Sequence, residues 1–132
     1  MSCRFTELIV DATDHAGLCR FWAQVLEWEV AEVKEKVAWL RPPTPSMPLI
    51  AFVPVPEEKK VKDRIHIDVS PTDRTRDEEV ERLLALGATR CDVGQGPDVP
   101  WVVLADPEGN EFCVLAARAE QDHAKWPWPW ME

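Results

Sequence analysis

The feature that most constrains this chain is an order of patterned segments that occurs twice: strand, helix, then three strands. In the first half Phe5–Val10 alternates, with Leu8 and Val10 on one face of a strand and Glu7 and Ile9 on the other. Asp14 stands where a helix N-cap belongs, and Leu18, Phe21, Trp22, Val25 and Leu26 then recur at helical spacing. Strands are predicted at Trp28–Val33, Val37–Leu40 and Leu49–Val53, with Pro54 and Pro56 ending the last of them. In the second half Arg64–Val69 places Ile65, Ile67 and Val69 on one face and His66 and Asp68 on the other. Thr75 and Glu78 have capping-box spacing, Val80, Leu83 and Leu84 form a buried helix face, and Gly87 sits at the C-cap. Strands follow at Arg90–Val93, Trp101–Ala105 and Glu111–Ala116, the last two joined by the turn Asp106-Pro-Glu-Gly-Asn110. Laid over each other, the halves match Glu7 with His66, Trp39 with Trp101 and Val53 with Cys113 at a nearly constant spacing.

One such unit is an open sheet with a helix on its outer face, and a second copy supplies the cover it lacks. The expected fold is α+β: two tandem βαβββ modules forming a curved, cleft-enclosing sheet with the helices outside. A single domain is expected over 1–118, with module one at 3–56, a charged linker Glu57–Asp63, module two at 63–117 and a tail at 119–132. The tail sets Trp126, Trp128 and Trp130 on a proline-stiffened strip, whose rings need cover. Folding back over the domain and reaching across a homodimer interface fit it equally.

Composition narrows the partners. A net charge of −9 argues against nucleic acid, because phosphate needs Lys and Arg opposite it. The acidity would favour a cationic ligand, although keeping the protein soluble is its commoner use. Cys3, Cys19, Cys91 and Cys113 show no zinc-type spacing. Met1–Phe5 leads straight into a strand pattern, and no apolar run is long enough for a bilayer. A cytoplasmic protein with reduced thiols and no membrane partner is expected.

Four segments carry a resemblance to a known family: Phe5-Thr-Glu-Leu-Ile-Val-Asp-Ala-Thr-Asp14, Arg20-Phe-Trp-Ala-Gln-Val-Leu26, Arg64-Ile-His-Ile-Asp-Val69 and Leu104-Ala-Asp-Pro-Glu-Gly-Asn-Glu-Phe-Cys113. Together they resemble the vicinal oxygen chelate superfamily, which includes glyoxalase I, extradiol dioxygenases, fosfomycin-resistance enzymes and bleomycin-resistance proteins. The branch most similar is that of glyoxalase-like proteins common in actinobacteria. The resemblance implies paired βαβββ modules and a concave pocket, without implying one reaction. Metal-using members hold a divalent ion with side chains from the first and last strand of each module. Carried onto this chain, those positions fall on Glu7, His66, Cys113 and a place near Val53, where nothing acidic stands; Glu111 is two residues before Cys113. The metal expected by this resemblance is zinc, manganese, iron or nickel, on an incomplete set in which Glu7 and His66 are the ligands named, with Cys113 as a third donor acceptable to zinc.

Without a metal, Glu7 and His66 read as an acid–base pair able to move a proton beside a carbonyl, or as an ion pair tying the modules together. Asp68 shares the face of His66. Trp39 and Trp101 could stack on a flat or cationic ligand, although core filling is the commoner role of such rings. Cys113 reads more readily as a small core residue than as a nucleophile. Three functions follow. The first is binding of a small organic molecule in the cleft, cationic or aromatic, with acid–base chemistry. The second is a metal-dependent lyase, isomerase or dioxygenase. The third is sequestration of a drug without catalysis.

Overall fold

The computed structural model describes residues 1–116, and the Trp126–Trp130 tail lies outside them. Apolar alternation makes the first strand, β1 (Glu7–Ala12), in which Ala12 is buried and Ile9 and Asp11 are exposed. Helix α1 (His15–Leu26) opens on Asp14, whose carboxylate accepts from the Gly17 amide at 3.0 Å. It buries Leu18, Cys19, Phe21, Trp22 and Val25 along one stripe. Three strands follow: β2 (Glu29–Val33), β3 (Ala38–Arg41) and β4 (Leu49–Pro54). β4 pairs parallel with β1 and antiparallel with β3, giving the order β1-β4-β3-β2.

The second unit repeats this plan with shorter strands. β5 (Ile67–Val69) pairs parallel with β8 (Glu111–Val114), and β7 (Val102–Ala105) and β6 (Thr89–Arg90) complete the order β5-β8-β7-β6. Helix α2 (Arg76–Leu86) has the full capping box between Thr75 and Glu78, three acidic residues in its first turn and Gly87 at φ 120° behind it. Two mixed four-stranded sheets and two helices make the expected α+β fold.

Three boundaries differ from the pattern. β5 starts at Ile67 rather than Arg64, its ladder with β8 beginning at the Ile67–Phe112 pair, and Ile65 is left 81% exposed. β6 stops at Arg90 because Asp92 turns the chain, its side chain accepting from the Gly94 amide at 2.7 Å. Trp101 precedes β7 instead of opening it.

The internal match also shifts. Ladder register sets Glu7 beside Leu49 and Ile9 beside Ala51, whereas Asp68 stands beside Cys113. Matching Glu7 to His66 therefore sets Ala51, not Val53, in the place of Cys113. Trp39, which faces Ala51, then corresponds to Val103, which faces Cys113, and not to Trp101. Loops of unequal length between the strands allowed the misalignment.

The units join on the helix side in one apolar core. Phe112 of β8 packs edge-on against Phe21 and Trp22 of α1, with ring centroids at 6.4 and 4.9 Å. Arg82 of α2 donates to the carbonyls of Gln24 and Val25, at 3.0 and 2.9 Å, near the C-terminal end of α1. Those carbonyls belong to the group a helix leaves unpaired at that end.

Candidate functional site

Two structural devices position the site. The first is the turn Asp106–Asn110, which clamps the modules together. Asp106, 3% exposed, accepts from Trp22 Nε1 at 3.0 Å and from the amides of Glu108 and Asn110 at 2.9 and 3.0 Å. Glu108 reaches back to the start of α1 and accepts from the Thr13 and Asp14 amides at 2.8 and 3.0 Å. A carboxylate at a helix N-terminus is favoured by the exposed amides there. The segment noted in the sequence only as a turn is thus also an inter-module tie, a role that depends on Thr13 and Trp22 lying far away in the chain.

The second device fastens the linker. Lys59 donates to Glu111 at 2.9 Å, and the Asp63 amide donates to the same carboxylate at 3.0 Å. Burial pushes the Glu111 carboxyl up, but these bonds and the Lys59 charge outweigh it and hold it at about 2. Burial and the neighbouring Glu111 carboxylate raise the Asp63 carboxyl, against the pull of Lys59.

Between β1, the linker and the start of β5 lies a cleft of about 390 Å³. Its apolar wall includes Ile9, Val55, Ile65 and Phe112. Its charge is mostly negative: Asp11, Glu57, Glu58 and Asp63 line it, against Lys59. Asp11, Glu57 and Glu58 have no side-chain hydrogen bond or ion pair among the described residues, so their charge is available to a ligand.

His66 stands at this cleft, just ahead of β5. Its partner is Asp68, with Nε2 to Oδ1 at 3.3 Å. Asp68 faces Cys113 across the β5–β8 ladder, and donor atoms of His66, Asp68 and Cys113 all lie within 4.8 Å of one another. Burial raises the Cys113 thiol to about 11, aided by the charge and hydrogen bond of Asp68. The set offers one nitrogen, one oxygen and one sulfur donor, which suits a borderline-soft divalent ion.

Of the residues singled out in the sequence, the structure brings together His66, Asp68 and Cys113. Glu7 is not in that cluster; it is half-buried on β1 and is not among the residues lining the cleft. Trp39 carries Lys34 over its ring at 5.8 Å, away from His66. Trp101 lines a separate groove of about 290 Å³ with Arg76 and Arg90. Sequence reasoning missed Asp11, Glu57 and Glu58 as cleft residues, reading the latter two only as the start of a charged linker.

A family model described as a glyoxalase-like domain matches residues 7–115. No curated protein matches the chain. Among solved structures, the fosfomycin resistance protein FosX from Listeria monocytogenes, complexed with Mn(II) and sulfate, superposes with a TM-score of 0.67 at 17% identity, over 91% of this chain and 94% of that one. A glyoxalase/bleomycin resistance protein/dioxygenase family enzyme from Burkholderia phytofirmans PsJN gives 0.62 at 20% identity, over 83% and 94%. The oxidase ChaP-H2 gives 0.57 at 14% identity, over 92% and 100%. The fold is therefore that of the vicinal oxygen chelate superfamily. The chain belongs to its glyoxalase-like domain family.

Proposed function

We propose that this chain binds a small organic molecule of cationic character in the cleft at the module seam, with the reacting part of the molecule at His66. The observation that carries the reading is the cleft wall itself, which combines apolar Ile9, Val55, Ile65 and Phe112 with Asp11, Glu57 and Glu58, acidic side chains that have no hydrogen bond or ion pair among the described residues. Apolar surface supplies affinity, and uncompensated carboxylates select the sign of the ligand's charge. In the metal-free chain His66, steadied by Asp68, is the group able to move a proton at the ligand. In this reading the partner of His66 is Asp68, 3.3 Å away, and not Glu7, which is not among the residues lining the cleft. The Mn(II) seen in FosX supports a divalent ion as a second element of the site, and three clustered donors favour it here.

Calorimetric titration with small aromatic ammonium compounds and with matched carboxylates tests the reading. The ammonium compounds are expected to bind, and more weakly as salt rises, because exposed charges are screened. Replacing Glu57 and Glu58 together by Gln should weaken them several-fold. Equal or tighter binding of the carboxylates would overturn the proposal.

A further inference from the structure

We propose that the acidic, apolar cleft is a docking site for residues 125–130 of the same chain, which compete there with the cationic ligand. The inference rests on the proposed function, since it regulates that same cleft. Two observations in the fold point to it. Ile9 and Ile65, two large aliphatic side chains lining one hollow, are 53% and 81% exposed. Apolar surface gathered at one place and left open to water marks a contact surface. Beside them, no described residue meets the charge of Asp11, Glu57 or Glu58. The cleft lacks an apolar cover and a cation at the same place.

The sequence that follows β8 holds both. Lys125-Trp-Pro-Trp-Pro-Trp130 sets one ammonium directly beside three indoles, and the nearby acidic residues Glu120, Asp122 and Glu132 fall outside that stretch. Indole rings cover apolar surface well, and Pro127 and Pro129 restrict the backbone, so less freedom is lost on docking. A cleft of about 390 Å³ is the size for one small ligand, so one indole with the ammonium fills it and the other rings cover Ile9 and Ile65. Chain length permits the contact. Phe112 lines the cleft, and Ala116 is four residues further on, at most about 14 Å of chain. Ten residues lead from Ala116 to Trp126, a reach of about 33 Å when extended. A tethered segment with that slack has a local concentration of roughly millimolar order at its own cleft, far above that of a second copy in dilute solution.

The test is fluorine NMR of the full chain carrying fluorotryptophan, with the signals of interest assigned by Trp126→Phe, Trp128→Phe and Trp130→Phe. At least one of them should lie away from its position in a free Lys-Trp-Pro-Trp-Pro-Trp peptide. It should move toward that position in Ile65→Ser, in the double variant Glu57→Gln and Glu58→Gln, and on addition of benzyltrimethylammonium, and it should not move on dilution. Changing Trp126, Trp128 and Trp130 together to Ser should tighten benzyltrimethylammonium binding at least about threefold, because apparent affinity falls with the fraction of open sites. Wild-type signals at the free-peptide positions would overturn the proposal, whether or not any variant folds. Shifts that vanish on dilution, the mark of a second copy, would overturn it too, as would shifts indifferent to both cleft substitutions. The ligand-free spectrum reads docking and the titration reads the ligand, so failure of this proposal and failure of the cleft reading are distinguishable.

Discussion

Glu111 shows how a single side chain can matter for a reason its own neighbours in sequence do not reveal. It stands two residues before Cys113 on the same face of β8, yet it serves the linker: its carboxylate is held by Lys59 and the Asp63 amide. Its folded pKa of about 2 lies below its ordinary value of 4.5. A depressed carboxyl stabilises the fold at pH values above the ordinary one, and that contribution is lost as pH falls toward the folded value. Glu111→Gln should cost about 2 kcal/mol near neutral pH, the scale of a lost charged hydrogen bond in a part-buried site. Urea midpoints measured from pH 7 downward should show the gap between wild type and variant closing between about pH 4.5 and about pH 2. A gap that stays constant with pH would assign the loss to packing instead.

Among the elements, the two helices are secured by unequal means. The capping box of α2 is local, and Thr75→Ala should cost about 1 kcal/mol in equilibrium unfolding. Arg82 is different. It pairs with Glu79, which is 8% exposed, and also occupies two carbonyls near the end of α1. Arg82→Met keeps the apolar stem but leaves a buried carboxylate unpaired, and about 3 kcal/mol should be lost. Finding the Thr75 substitution the costlier of the two would contradict this division of roles. α1 itself ends on Glu27 in the left-handed region, at φ 54°, where glycine would be easier.

For the whole molecule, the relevant unit is the pair of modules joined through Trp22, Phe112 and the Asp106–Asn110 turn. Asp106 and Glu108 fasten the same short turn to the same helix, so their contributions are coupled. Asp106→Ala should destabilise by about 3 kcal/mol or more, since the buried Trp22 Nε1 and the turn amides lose their acceptor together. Glu108→Ala, more exposed, should cost about 1 kcal/mol, and the double variant less than the two combined, because the first substitution already frees the turn. Thermal unfolding of the four proteins completes that cycle. Additive losses would mean that the two carboxylates act independently.

Much of this was legible in one dimension. Alternation in β1, the stripe of α1, the Thr75–Glu78 box and the Asp-Pro-Glu-Gly-Asn turn are short-range patterns, and a chain's local geometry follows from neighbours a few residues away. The duplication and the α+β fold could be read from their order, and His66 with Asp68 from a period of two. Register was not legible, because a strand's offset against its partner depends on loop lengths and on which face finds the core. That offset brought Cys113 opposite Asp68 and placed Ala51 where a fourth donor was sought. Only tertiary packing could turn a five-residue turn into a clamp on Trp22 and gather Asp11, Glu57 and Glu58 at one cleft, since these contacts join residues that the sequence keeps far apart.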